Sequence, residues 1–164
     1  MSDHYKFVVG LRALRDYEST PISDEHMNAI LEAARWTGSS KNLQNWSFVV
    51  VQDAVQLAKL AECGDYTVPV RNSAATIAIV EEPGGYLFDS GRVAQNIMLA
   101  AAALGVASCP ITLHRHQDVA DVLGLGEGRT CHYAVTLGYP LPDAAPKMKG
   151  GRKPLVELVH WETY

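Results

Sequence analysis

Cysteine is scarce in this 164-residue chain: Cys63, Cys109 and Cys131 are all there is, and no two form a C-x-x-C pair. Three thiols cannot all pair, so a disulfide framework is excluded and a reducing, cytoplasmic setting is expected. Long apolar runs are missing as well. The longest, near residues 97–104, falls far short of the ~20 residues that a bilayer span needs. The first five residues lack the basic start and apolar run of a secretory leader, which again points to the cytosol. Neither sign of charge dominates: 14 Lys and Arg against 18 Asp and Glu leave a net charge of −4. Broad attraction to nucleic acid or to an anionic membrane is therefore not expected.

Several chemical signatures are absent too. There is no Ser-His-Asp arrangement, no phosphate loop and no paired-carboxylate pattern. Gly124, Gly126 and Gly128 follow a helical segment rather than a strand, so they read as a turn and not as a dinucleotide loop. His114-Arg115-His116 offers at most half a metal site, with no third ligand at a characteristic distance, and no metal is expected. Cys109, between Ser108 and Pro110, suits a small core position better than a reactive thiol.

What the chain does contain is an ordinary globular composition, 48% hydrophobic and 20% charged. No repeat, low-complexity run or long linker divides it, so one domain over residues 1–164 is expected. Phe7, Leu11 and Leu14 share a helical stripe over residues 5–14. Residues 23–35 give the clearest helix: Ser23 caps it, Asp24 and Glu25 suit its positive end and Arg35 its negative end. Met27, Ile30, Leu31 and Ala34 form its apolar face, and Gly38 is expected to close it in a left-handed conformation.

A strand follows over 46–52, where three consecutive valines suggest burial on both faces. Further expectations are a helix over 53–62 capped by Asp53, a strand over 76–80, and a turn at Pro83-Gly84-Gly85. A long helix runs from a cap at Asp89 or Ser90 to Leu104. After Gln95-Asn96 it is apolar almost all round, so it should be covered on every side, and a second subunit is a plausible cover. A short helix over 117–123, a strand over 131–137, an irregular basic stretch over 138–153 and a short helix within 155–164 complete the pattern. Helices alternating with buried strands mean a layered fold of helices and sheet.

Two constellations could carry chemistry. The insert Ser39-Ser40-Lys41-Asn42-Leu43-Gln44-Asn45 lies between a helix stop and a strand. Its hydroxyls and amides suit a planar heteroaromatic ring with carbonyl and N–H edges. The other reading is a polar turn whose Ser and Asn only cap backbone. Arg12 and Arg15, with the distant Arg152 and Lys153, could clamp one phosphate monoester through their planar forks. The other reading is solvated surface charge.

Taken together, four segments resemble the FMN-dependent nitroreductase family, in the family's order and over nearly the whole chain. Residues 11–17, Leu-Arg-Ala-Leu-Arg-Asp-Tyr, resemble R-R-S-x-R-x-[FY]. Residues 33–46 resemble A-A-R-x-A-P-S-x-x-N-x-Q-P-W. Asp89, Gly91, Gln95 and Asn96, with Leu104, Gly105 and Ser108, resemble a central helix that opens D-x-G-x-x-x-Q-N and ends L-G-x-x-S. Gly138-Tyr139-Pro140 with Arg152-Lys153-Pro154-Leu155 resembles G-Y-P and R-K-P-L.

The resemblance implies an α+β, nitroreductase-like three-layer sandwich, with a mixed central β-sheet flanked by helices. It also implies a domain-swapped-type homodimer built on the central helix, with two FMN sites at the interface. Arg12, Ala13, Arg15, Arg152 and Lys153 would meet the flavin phosphate or ring edge. Ser39, Ser40, Asn42 and Gln44 would come from the partner subunit, and Ser108, Cys109 and Pro110 would line the isoalloxazine.

The implied activity is a ping-pong hydride relay from NAD(P)H through flavin N5 to a nitroaromatic, quinone or similar conjugated acceptor. A dehalogenase or dehydrogenase reaction, or a non-catalytic flavin-binding module, is the alternative. This chain departs from the pattern at Leu11 (an arginine in the family), Ala13 (a serine) and Asn45 (a proline). Only residues 82–88 stand where longer relatives carry a helical excursion.

Overall fold

The computed structural model describes residues 1–146 and 151–164. Lys147 and Lys149, part of the basic stretch noted above, lie outside the described residues. In chain order the elements are α1 (Asp3–Gly10), α2 (Asp24–Arg35), β1 (Trp46–Val51), α3 (Ala54–Ala61), α4 (Val68–Asn72), β2 (Ala75–Glu81), α5 (Leu87–Ala103), β3 (Ala107–Thr112), α6 (His116–Leu123) and β4 (Thr130–Gly138). The strands form one sheet in the order β1-β2-β4-β3.

Alternation along the central strands sends side chains into two separate cores. On one face Ile77, Ile79, Val135 and Leu137 pack with Ile30 and Ala34 of α2 and with Val93 and Ile97 of α5. On the other, Ala78, Val80, Ile111 and Ala134 pack with Leu57 and Leu60 of α3, Val70 of α4 and Val119 of α6. Helices thus cover the sheet on both faces, and the α+β three-layer architecture holds. Each fully buried Ile or Leu contributes about 1.5–3 kcal/mol of apolar transfer, so the sheet centre carries most of the packing energy.

Local chemistry fixes the helix starts. Ser23 Oγ accepts the His26 N–H at 3.2 Å, and Asp53 Oδ1 accepts the Gln56 N–H at 2.9 Å. Both caps are those expected from the sequence.

Other expectations change. Every strand pair is antiparallel, so within the described residues of one chain the sheet is not mixed. β1 is an edge strand, where only Val51 is buried; Val49 and Val50 are half-covered rather than enclosed on both faces. A fourth strand, β3, runs through Ser108-Cys109-Pro110. Proline has no N–H to give a ladder, and it is tolerated here because β3 is the opposite edge.

α1 stops at Gly10 instead of reaching residue 14, and none of its residues is buried. α5 begins at Leu87, so Asp89 and Ser90 sit inside its first turns rather than capping it. Ser90 Oγ donates instead to buried Glu81 Oε1 at 2.7 Å. The short α4, with Pro69 in its first turn, falls where no element was expected. The C-terminal helix reduces to one 3₁₀ turn, Leu155–Glu157. Gly38 is not left-handed; the positive φ values fall just beyond it, on Lys41, Asn42 and Gln44.

Candidate functional site

Residues 11–18 leave α1 in extended form and lie along β3 and the end of β4. The Leu14 N–H donates to the Ser108 carbonyl at 3.0 Å, and the Glu18 N–H donates to the Tyr139 carbonyl at 2.8 Å. Tyr17 anchors the crossing. Its hydroxyl donates to the Leu14 carbonyl at 2.8 Å and stands 2.7 Å from Thr136 Oγ1. Burial pushes its phenol well above the usual range. Gly138 must be glycine for this approach, because a Cβ there would stand 2.6 Å from the Tyr17 ring.

This crossing leaves two cavities at the edge of the sheet. The larger, about 520 Å³, has mostly apolar walls, among them Phe7, Leu11, Leu14, Val106 and Pro140; Arg12 and Ser108 are its polar members. Arg12 Nη1 donates to the carbonyls of Val9 and Leu11, both at 2.7 Å. The smaller, about 190 Å³, is lined by Arg15, Tyr66, Cys109, Pro110, Thr112 and His114. Burial pushes the Cys109 thiol up, against the opposing pull of the Arg15 guanidinium. Ala13 lies between the two arginines and packs against both cores.

The structure therefore gathers Arg12, Ala13, Arg15, Ser108, Cys109 and Pro110 along one sheet edge. It does not bring the other candidates to that place within one chain. Neither cavity is lined by Ser39, Ser40, Asn42, Gln44, Arg152 or Lys153. Arg152 and Lys153 lie in an exposed tail segment. Residues 39–45 form a loop around a 3₁₀ turn, Ser40–Asn42, where the Gln44 N–H donates to Ser39 Oγ at 2.9 Å and Gln44 Nε2 to the Asn42 carbonyl at 3.2 Å.

Sequence reasoning missed Phe7, Val106, Tyr66 and His114 as cavity residues. The first two are apolar and carry no chemical signal of their own. His114 carried one, but as a possible metal ligand; its Nδ1 instead accepts the Asp65 N–H at 3.2 Å. Arg115 braces the same turn through Asp65 Oδ1 at 2.7 Å and the carbonyls of Glu62 and Gly64.

Three groups of exposed side chains are unusual for a chain with two complete cores. The outer stripe of α5 leaves Phe88 77% exposed and Leu99 and Ala102 half-covered. The tail exposes Leu155, Val156, Leu158 and, 82% exposed, Trp161; α1 exposes Phe7, Val8 and Val9. Such apolar surface marks a place where something else docks. Among the described residues no helix is long and apolar enough to cross a membrane.

The Nitroreductase family profile matches residues 9–64 and 71–139. A protein of Archaeoglobus fulgidus, provisionally named an NADH dehydrogenase/NAD(P)H nitroreductase, is 30% identical over 151 residues, covering 85% of this chain and 87% of the relative. Nitroreductase A from Vibrio parahaemolyticus superimposes with a TM-score of 0.90 at 27% identity, over 100% of this chain and 78% of that one. The NADPH:FMN oxidoreductase from Vibrio harveyi, solved with NAD+, gives 0.89 at 26% identity over 99% and 78%. With both segments of the profile match falling on the sheet, its covering helices and the arginine-bearing crossing, the chain belongs to the Nitroreductase family.

Proposed function

We propose that this chain is a cytoplasmic, FMN-dependent NAD(P)H oxidoreductase acting as a single domain, with a small conjugated molecule such as a quinone or nitroaromatic as acceptor. One observation carries the reading: the 11–18 crossing sets two guanidinium groups at the same sheet edge, Arg12 beside an apolar cavity and Arg15 beside a smaller one of mixed polar and apolar lining. The residues fit the group. A flat ring system needs apolar walls, and its phosphate and carbonyl edge need fixed, forked donors, which arginine supplies.

Bound FMN would supply the redox chemistry, accepting hydride from the nicotinamide and giving electrons to the acceptor. The chain's own work is to bind, orient and exclude water. Arg12, with Arg152 and Lys153, would meet the phosphate. Arg15 would meet the polar ring edge, Ala13 and Ser108 would pack beside it, and Cys109 and Pro110 would flank the ring. Donor and acceptor would use the same open face in turn, which makes the kinetics ping-pong. The three free, buried thiols support the reducing compartment.

The site is completed by a second copy of the chain. Its 39–45 loop brings Ser39, Ser40, Asn42 and Gln44, four residues that one chain leaves apart from the cavities. The outer stripe of α5 and the exposed tail give the self-complementary surface that a two-fold dimer requires.

Freshly purified protein should show a visible flavin spectrum, release FMN on denaturation, and oxidise NADH or NADPH when a quinone or nitrofurazone is added. Initial rates should give parallel double-reciprocal lines. Colourless protein that gains no flavin absorbance on titration with FMN would overturn the proposal. Bound flavin that no acceptor reoxidises faster would favour a non-catalytic flavin-binding module, a reading to which Leu11 and Ala13, in place of an arginine and a serine, lend support.

A further inference from the structure

The 39–45 loop holds a backbone that its residue types do not favour. Lys41, Asn42 and Gln44 have φ values of 51°, 55° and 54°, in a stretch with no glycine. Side chains with a Cβ adopt such angles at a cost, and the conformation persists only where the surroundings over-determine it. A plain exposed connector would relax. The question is what holds this one.

Two side chains one helical turn apart on α5 grip the loop at its entry. Asn96 Nδ2 donates to Thr37 Oγ1 at 2.8 Å, and Thr37 is 4% exposed. Arg92 Nη1 donates to the carbonyl of the next residue, Gly38. Residues four apart lie on the same helix face, so the two grips act as adjacent rungs. Arg92 is itself held: Asp89 Oδ1, on a mostly buried side chain, stands 3.7 Å away, and the guanidinium lies 5.9 Å from the centre of the Phe88 ring. Gly38 leaves it room, since a Cβ there would stand 3.2 Å from Arg92 Nη2.

The exit of the loop is fixed separately. The Asn45 carbonyl accepts the Glu82 N–H at 3.2 Å, and Asn45 Nδ2 donates to the Pro83 carbonyl at 3.4 Å. Gly85 permits this closeness, because a Cβ there would stand 2.8 Å from the Asn45 oxygen. The loop therefore hangs between α5 and the short 82–86 turn, with the side chains of Ser40, Asn42 and Gln44 exposed.

We propose that Arg92 and Asn96 are positioning residues that preset the 39–45 loop in its flavin-facing conformation before the flavin arrives. The proposal rests on the reading of that loop as part of the flavin site. Its physical basis is preorganisation: a loop already ordered adds no ordering cost on binding, so its donors contribute more of their interaction to affinity. Neither residue touches the ring. Arg92 acts through the Gly38 carbonyl and Asn96 through the Thr37 hydroxyl.

The test compares the unmodified protein with Arg92→Ala, Arg92→Lys and Asn96→Ala. Two quantities are read: hydrogen exchange of the 39–45 amides by mass spectrometry, and the FMN dissociation constant by quenching of flavin fluorescence. Arg92→Ala should speed exchange in that segment about tenfold and weaken FMN about tenfold, the loss expected for one charge-assisted hydrogen bond. Arg92→Lys, which keeps a cationic donor near Gly38, should recover most of both. Asn96→Ala should move both the same way by a smaller factor.

Should Arg92→Ala fail to fold, Gly38→Ala disturbs the same contact from the loop side and should give the same pair of changes. Unchanged exchange in Arg92→Ala overturns the clasp. Faster exchange with unchanged FMN affinity overturns its role in the flavin site. An unmodified protein that binds no FMN overturns the cofactor assignment itself, and the exchange measurement still reports on the clasp.

Discussion

The centre of the molecule and its two chain ends follow opposite rules. β2 is buried along its whole length, and both of its faces meet complete apolar cores. α1 and residues 151–164 contain no buried residue, yet they carry Phe7, Val8, Val9, Leu155, Val156, Leu158 and Trp161. A chain that can build two cores does not lack the means to bury a tryptophan. The arginine candidates divide between the two ends: Arg12 stands at the crossing beside α1, and Arg152 lies in the tail. The apolar packing that holds the fold is concentrated in the centre, while the proposed function assigns assembly and ligand binding to the ends.

That contrast can be broken most forcefully at the centre. Ile77→Ala, in the middle of β2, should cost about 2–5 kcal/mol of unfolding free energy, read as a shifted denaturant midpoint. Leu158→Ala in the tail should leave subunit unfolding within about 0.5 kcal/mol while weakening self-association in light scattering. Equal losses of subunit stability from the two changes would contradict the division.

Arg152→Ala sharpens the ligand side of the comparison. FMN affinity should fall roughly tenfold or more, the usual loss for a charged hydrogen bond to phosphate, with the melting temperature of flavin-free protein unchanged. An unaltered dissociation constant would remove Arg152 from the site.

A gradual effect comes from alkali, through groups whose burial raises their titration, Cys131 of β4 and also Tyr17 and Cys109. Burial raises the Cys131 thiol from 9.0 to about 12. The folded state holds that proton more tightly than the unfolded chain does. Its contribution is full below about pH 9 and is lost as pH rises toward 12, at about 1.4 kcal/mol per pH unit for one proton. Urea midpoints should decline over that range. Cys63, Cys109 and Cys131 are all buried, so native protein should also show no fast reaction with a thiol reagent at pH 8. The smallest change predicted is Ser23→Ala, which removes the cap of α2 and should cost about 1 kcal/mol.

How much of this was legible in the sequence depended on which signal each segment carries. α2 and its Ser23 cap could be read directly, because period, cap and end charges agree. β3 could not, because Pro110 argues against a strand until its place at the sheet edge is known. The left-handed residues were misplaced for a related reason. Glycine is the usual marker of positive φ, and here Gly38 serves as room for Arg92 while Lys41, Asn42 and Gln44 take the strained angles.

Within the candidate site, the motif pattern found Arg12, Arg15 and Ser108, which lie together. It could not find Phe7, Val106 or Tyr66, since an apolar wall is made by elements that meet only in the fold. Nor could it show that Arg152 stands apart from Arg12 in a single chain.

The most direct test of a site shared between two copies is subunit complementation. One chain carries Arg12→Glu with Arg15→Glu, which stand at the same sheet edge, the other Ser39→Glu with Asn42→Glu, and the two are unfolded together and refolded as an equal mixture. Neither variant alone should bind FMN. The mixture should bind about one flavin per four chains, because about half of the dimers are mixed and each of those has one undamaged site. No flavin in the mixture, with both variants folded, would contradict the account.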